Sequence, residues 1–165
     1  GRYRKYATWH QMRTTDQAAR VEKEVRSAGD ASPYEISVDS VGVGKGVFDI
    51  LCDARLWNPR VSINVKVGEF KGSHKAQEPE YFLNARAEGY WRLREAFEAG
   101  EVDIDPEDDE LYYQLSELRF QRTAGDKIRI ENKKEFKART GKSPDDADAM
   151  MYSFAGFSKR RIVVR

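Results

Sequence analysis

The sequence is poor in the residues that form disulfides or zinc sites. Its 165 residues include one cysteine, Cys52, and two histidines, His10 and His74. A single cysteine cannot form a disulfide within the chain, and Cys52 directly follows Ile50 and Leu51, a context typical of a core residue rather than a nucleophile. Neither histidine has a cysteine or another histidine at zinc-ligand spacing. The composition therefore argues against a disulfide scaffold and against a zinc site.

Long apolar segments are absent as well. No run approaches the roughly 20 apolar residues of a membrane-spanning helix, and no signal-peptide pattern is present. There is no internal repeat and no low-complexity tract. A chain of this length supports one compact domain with a core of its own. We therefore expect a single soluble intracellular domain over residues 1–165.

Charge is balanced overall but uneven along the chain. The net charge is +1, yet residues 101–110 are strongly acidic and residues 119–142 carry nine basic side chains against three acidic ones. Such a basic segment could guide a phosphate backbone, although most charge runs are solvated surface. The acidic segment fits a solvated loop or a contact for a basic partner, and both interpretations stay open.

The most informative segment runs from Ser143 to Met151. Ser143 is expected as an N-cap and Pro144 as the first helical residue. Asp145 and Asp148 are three apart and share one helix face, next to the apolar residues that we expect to be buried. Acids at a helix start complement the helix dipole, but carboxylates beside an apolar face need compensation, which a divalent cation can supply. Both a dipole role and a metal role therefore remain open.

A second candidate acid lies at the end of a predicted strand. Residues 34–39 alternate apolar and polar positions and end on Asp39, which a glycine-containing turn follows. Open α/β sheets place their chemistry at such strand ends, whereas the alternative is a simple turn aspartate. The glycines and Lys45 do not form a phosphate-binding loop, because no Ser or Thr follows the lysine and the glycine spacing differs.

Five segments of the sequence form a recognisable series. They are Asp39-Ser-Val-Gly-Val-Gly-Lys-Gly, Asn84-Ala-Arg-Ala-Glu-Gly-Tyr-Trp-Arg-Leu-Arg-Glu, Leu111-Tyr-Tyr-Gln-Leu, Ile128-Arg-Ile-Glu-Asn-Lys-Lys and Ser143-Pro-Asp-Asp-Ala-Asp-Ala. In this order they resemble the nuclease domain of the large terminase subunits of tailed bacteriophages. The similarity extends from about residue 3 to about residue 154. No single motif is decisive, but the five together in one order are quite specific.

The resemblance implies an α/β, RNase H-like fold, with a central mixed β-sheet flanked by helices, and cleavage of double-stranded concatemeric viral DNA during genome packaging. It implies two Mg²⁺ or Mn²⁺ ions as cofactors. Asp39 matches the central-strand acid that would bridge the ions, and Asp145 and Asp148 match the last-helix positions, with Asp145 ranked slightly ahead. Implied partners are double-stranded DNA, a terminase ATPase domain, the small terminase subunit and the portal, in the host-cell cytoplasm during phage assembly.

One departure from the family pattern concerns its first strand, which carries an acid in a pattern resembling Asp-x-Ala-x-x-Gly. Only Gly1 and Arg2 precede the matching strand here, and Asp16 is better explained as part of a helix cap. We therefore expect that the chain is a fragment of a larger terminase without the N-terminal ATPase domain, and that its first strand is either missing or lies on a segment not included in this sequence.

Two alternatives to the nuclease prediction follow. An incomplete set of acids would suit a DNA-binding or assembly module of the packaging motor without activity of its own. The Asp145-x-x-Asp148-Ala149 pattern also resembles the helix of RNase H-like enzymes that resolve branched DNA. In each case the candidate DNA contacts are Lys45, Arg129, Lys133, Lys134, Arg139 and Lys142.

Periodicity of apolar residues predicts the remaining elements. Strands are expected over residues 3–10, 34–39 and 60–67, helices over 16–27, about 47–57, 81–99, 111–118 and 131–140, and a hairpin from 120–121 and 127–130. Loops are expected over 29–33 and 69–80.

Overall fold

The computed structural model describes residues 11–27, 34–53 and 65–155. Their contacts divide into two compact units, one with the described residues up to Lys71 and the other covering Gly72–Ala155. The single domain expected over residues 1–165 stays a prediction. The strand predicted over 3–10, the loop over 29–33 and the start of the strand over 60–67 lie outside the described residues. No helix within those ranges is both long and apolar enough to cross a membrane.

The first unit combines two helices with a two-stranded parallel sheet. Its elements are α1 (Thr14–Ser27), β1 (Tyr34–Asp39), α2 (Val43–Leu51) and β2 (Val65–Phe70). In the parallel register, Tyr34 lies opposite Val65 and Asp39 lies opposite Phe70. The strand at 34–39 was predicted correctly, and the helix predicted at 16–27 begins two residues earlier, at Thr14.

A small apolar core holds this unit together. Ala18, Val21 and Val25 recur on one face of α1 and are buried against Ile36 of β1 and Leu51 of α2. Burying a side chain of the size of valine or leucine contributes about 1.5–3 kcal/mol. The i, i+3, i+7 spacing in α1 thus explains why a helix with many charged residues folds onto this sheet.

The second unit contains four helices and an antiparallel hairpin. Its elements are α3 (Ala85–Glu98), α4 (Asp109–Glu117), β3 (Phe120–Arg122), β4 (Ile128–Ile130), α5 (Lys133–Thr140) and α6 (Asp145–Ala155). Phe120 pairs with Ile130 in the hairpin, as predicted. Of the expected central mixed sheet, the described residues contain one parallel and one antiparallel pair.

The predicted start of the long helix at residue 81 is wrong. Phe82 instead forms an isolated parallel bridge with Ile128, in which the Ile128 N–H donates to the Tyr81 carbonyl at 2.7 Å and the Leu83 N–H donates to the Ile128 carbonyl at 2.9 Å. Asn84 then caps α3, its side-chain oxygen accepting the Ala87 N–H at 2.9 Å. Pairing with β4 therefore overrides the helical periodicity of this segment.

The bounds of α2 and β2 also differ from prediction. Helix α2 ends at Leu51 rather than continuing toward residue 57, because the Asp53 N–H bonds to the Ile50 carbonyl at 3.1 Å, which tightens the last turn. Strand β2 includes Glu69 and Phe70, which were expected in a loop, because both pair with the end of β1.

A close backbone contact fixes the turn after β1. Gly42 has φ +64°, a conformation that side chains disfavour. Two residues later, a Cβ at Gly44 would lie 1.6 Å from the carbonyl oxygen of Asp39. The first turn of α2 therefore lies directly on the carboxyl end of β1, and only glycine fits at position 44.

We predict that Gly44→Ala destabilises the protein by about 1–3 kcal/mol, because the backbone must move to admit the methyl group. Thermal or denaturant unfolding measures the change. Gly125→Ala is the control, since a Cβ there would meet only the Thr123 hydroxyl oxygen, at 4.0 Å. Equal stability of the two variants would contradict the contact.

Candidate metal and nucleic-acid site

Helix α6 is capped by a side chain from another helix. The Oε1 atom of Gln114 on α4 accepts hydrogen bonds from the backbone N–H groups of Asp146 at 2.8 Å and Ala147 at 2.9 Å. Ser143, predicted as the N-cap, instead donates its hydroxyl to Asp145 Oδ1 at 2.8 Å. Since the helix begins at Asp145, the prediction that Pro144 is its first residue is also wrong. The buried amide of Gln114 satisfies donors that a helix start leaves without partners.

The three acids in the first turns of α6 have different environments. The side chain of Asp145 is 67% exposed, whereas that of Asp148 is 1% exposed. Asp146 is also buried, and its Oδ2 lies 3.4 Å from Gln114 Nε2, the donor. Only Asp145 therefore has a carboxylate open to solvent.

Asp148 is held by two side chains of α3. Its Oδ1 accepts hydrogen bonds from the Tyr90 hydroxyl at 2.6 Å and from Arg86 Nε at 3.2 Å and Nη2 at 3.1 Å. Burial raises the pKa of Tyr90 well above 10, and the nearby Asp148 carboxylate raises it further. The phenol therefore remains a protonated donor at physiological pH.

The ammonium group of Lys133 lies beside both Asp145 and Asp148. Its Nζ is 3.4 Å from Asp145 Oδ1 and 3.0 Å from Asp148 Oδ2. This shared contact agrees with the prediction that the two acids lie on one helix face. The lysine therefore marks a position where a cation is stabilised by two carboxylates.

The donor atoms around that position fit a divalent cation. Hard cations such as Mg²⁺ bind through one or two carboxylates and keep several waters, and the exposure of Asp145 leaves room for water. Within the ranges that the structure describes, no three Asp, Glu, His or Cys side chains are grouped so as to hold a metal ion. The local donor set is therefore the Asp145–Asp148 pair.

Asp39 belongs to the other unit, where the glycine turn fixes it. The Val41 N–H donates to Asp39 Oδ1 at 3.1 Å, so the carboxylate is held in the turn at the carboxyl end of β1. Lys45, a candidate phosphate contact, is paired with Asp49 at 2.7 Å and lies over the Phe48 ring. The hydrogen bond to Asp49 raises the pKa of Lys45. The Lys45 ammonium is thus already paired with groups of α2 itself.

Salt bridges within the protein neutralise much of the predicted basic segment. Arg139 contacts Glu117 and Glu131, both at 2.7 Å, and is only 23% exposed. Lys142 pairs with Glu110 at 2.6 Å, and Arg129 pairs with Glu135.

Lys134 and Lys137, both on α5, are exposed and make no salt bridge within the described part of the chain. Among the candidate DNA contacts, Lys134 is therefore the one whose charge is least neutralised by carboxylates of the protein.

Sequence reasoning missed the roles of Arg86, Tyr90 and Gln114. Tyr90 is buried, and its hydroxyl donates a hydrogen bond to Asp148. The i, i+4 spacing of Arg86 and Tyr90 places two donors on one face of α3, which was the available signal. No local pattern could have linked Gln114 to α6, 32 residues away.

Solved structures share the fold of this chain. A lysine-to-alanine variant of the nuclease domain of the large terminase subunit gp2 of bacterial virus Sf6, with manganese, has a TM-score of 0.61 at 20% identity, over 84% of this chain and 71% of that chain. The corresponding variant with calcium has a TM-score of 0.60 at 20% identity, over 84% and 70%. The nuclease domain described without a substitution has a TM-score of 0.61 at 20% identity, also over 84% and 70%.

No protein-family model and no curated protein matches the sequence. The structural likeness establishes the fold: this is a mixed α/β chain with the RNase H-like fold of a terminase nuclease domain, as the resemblance implied.

We predict that Gln114→Ala lowers the free energy of unfolding by about 1–3 kcal/mol, because it leaves buried N–H donors at the start of α6 without an acceptor. Chemical denaturation measures this loss. Gln121→Ala removes the same side chain from an exposed strand position and should change stability by no more than about 0.5 kcal/mol. If both variants lost the same small amount, the cap would contribute nothing.

Proposed function

We propose that this chain is a divalent-metal-dependent endonuclease that cuts double-stranded viral DNA during genome packaging. The observation that carries the proposal is the cation position between Asp145 and Asp148, next to the exposed lysines of α5. The fold likeness supports it, because the matching terminase nuclease domain has been solved with manganese and with calcium. The proposed host-cell setting is the cytoplasm during phage assembly.

In this proposal the carboxylates of Asp145 and Asp148 would hold Mg²⁺ or Mn²⁺. Two such ions, when bound, supply positive charge that stabilises the phosphodiester transition state and lowers the pKa of water. Lys133 neutralises the same carboxylates when no divalent ion is bound. Asp39 is proposed to serve the same reaction, on the strength of its match to the family motif and its fixed position at the end of β1.

The exposed lysines of α5 are proposed to contact the DNA backbone. Phosphate contacts position a nuclease without selecting sequence, which suits an enzyme that must cut broadly. Lys134 and Lys137 lie three residues apart, so they share a face of the helix. The ATPase domain, small terminase subunit and portal are proposed as partners from the family resemblance alone.

We predict that Asp145→Asn and Asp39→Asn each abolish Mn²⁺-dependent plasmid cleavage without changing the melting temperature by more than a few degrees. Asp145 is mainly solvent-exposed, so the loss of its charge costs little stability. Asp148→Asn should lose cleavage and also about 3–5 kcal/mol of stability, because it leaves the buried Arg86 without its counter-ion.

EDTA is the control for this experiment and should stop cleavage by the parent protein. Cleavage that survives EDTA would contradict a metal-dependent mechanism. Unchanged cleavage by one of the aspartate variants would remove that residue from the active site. Metal-independent DNA binding with no cleavage under any condition would favour a non-catalytic packaging module.

We predict that Lys134→Ala weakens binding to double-stranded DNA and lowers the slope of log K against log salt by about 1, because one phosphate contact is lost. Fluorescence anisotropy over a salt series, in EDTA, measures both. Arg122→Ala is the control, since that guanidinium is already paired with Asp126 at 2.9 Å. Equal slopes for the parent and Lys134→Ala would show that Lys134 makes no contact with a DNA phosphate.

A further inference from the structure

The two oxygens of the Asp148 carboxylate differ in the hydrogen bonds that they accept. Oδ1 accepts three hydrogen bonds, from Tyr90 and from two nitrogens of Arg86. Oδ2 is equally buried but accepts no hydrogen bond. Lys133 Nζ lies 3.0 Å from Oδ2, which meets the distance for an ion pair without the angles of a hydrogen bond. All of the directional bonding is therefore on one side of the carboxylate.

This asymmetry is unusual for a carboxylate with a purely structural role. Buried polar atoms in folded proteins nearly always have hydrogen-bond partners, and a buried charge needs them most. A structural anchor would be expected to share donors between both oxygens. A buried carboxylate oxygen that accepts no hydrogen bond still has lone pairs to donate. Such an oxygen is therefore suited to be a ligand of a metal cation.

The donors to Oδ1 are themselves held in place. Arg86 is 13% exposed, and its Nη1 donates to the Glu131 backbone carbonyl at 2.5 Å, directly before α5. Its guanidinium also lies over the Tyr90 ring, 4.9 Å from the centroid. Because both residues lie on α3, one turn apart, they form a rigid surface against which only one carboxylate orientation satisfies all three bonds.

We propose that Arg86 and Tyr90 are positioning residues, which bind Asp148 through Oδ1 and thereby keep Oδ2 directed at a divalent cation. This inference rests on the proposed function, because it assigns the cation of that same site to Oδ2. Hydrogen-bond partners behind a metal ligand orient it, and their removal typically weakens metal binding about 10- to 100-fold.

Tyr90→Phe is the most direct test, because it removes one hydroxyl and leaves the charge and the ring in place. We expect the Mn²⁺ dissociation constant, measured by isothermal titration calorimetry without DNA, to rise about 10-fold or more. The matched control is Tyr112→Phe, which removes the same hydroxyl from a residue that is 68% exposed and should leave Mn²⁺ binding unchanged. Melting temperatures without metal confirm that each variant is folded.

A second variant, Arg86→Lys, keeps the positive charge but cannot supply the paired bonds to Oδ1 together with the bond to the Glu131 carbonyl. It should also weaken Mn²⁺ binding about 10-fold or more, and it provides the test if Tyr90→Phe does not fold. A purely structural role would lower the melting temperature of either variant but leave Mn²⁺ binding by the folded fraction unchanged.

The outcomes separate this inference from the proposed function. If the parent binds Mn²⁺, Asp145→Asn reduces that binding, and both Tyr90→Phe and Arg86→Lys bind within twofold of the parent, then positioning by α3 is wrong while the metal site stands. If the parent binds no Mn²⁺, or Asp145→Asn binds it as well as the parent does, the proposed metal site fails and this inference fails with it.

Discussion

The burial of Asp148 is the constraint on which the second unit depends. A carboxylate at 1% exposure requires compensating groups, and these come from α3 through Arg86 and Tyr90 and from α5 through Lys133. Arg86 on α3 also donates to the backbone just before α5. This one guanidinium therefore connects α3 with α6 and with the start of α5. Gln114 on α4 in addition caps the start of α6.

The same arrangement gives two carboxylates within one turn of α6 very different environments. Asp148 is fixed and has an almost dry environment, whereas Asp145 is exposed and can exchange partners with solvent. A fixed ligand defines where a cation binds, and an exposed one leaves room for water and substrate. Lys133 occupies the intervening position, and its positive charge together with that of Arg86 balances the two carboxylates without a divalent ion.

Much of the fold could be predicted from the sequence, because most elements follow local patterns. The apolar spacing in α1, the alternation in β1 and the turn residues around Gly125 each determine their own structure. Prediction was wrong where distant partners decide: β4 pairs with residues 81–83 and shortens α3, and Gln114 replaces Ser143 as the cap of α6. For the site, spacing identified Asp145 and Asp148 as neighbours on one face, but could not reveal which one is buried. It also could not reveal that five of the nine basic side chains in residues 119–142 form salt bridges.

The central claim is that the position between Asp145 and Asp148 binds a divalent cation. A crystal structure of the protein soaked in Mn²⁺, with an anomalous difference map, tests it most directly. The account predicts a manganese peak about 2.1 Å from Asp148 Oδ2, with Asp145 as a further ligand and the Lys133 ammonium displaced. A map with Lys133 still between the two carboxylates and manganese bound elsewhere, or nowhere, would contradict the account.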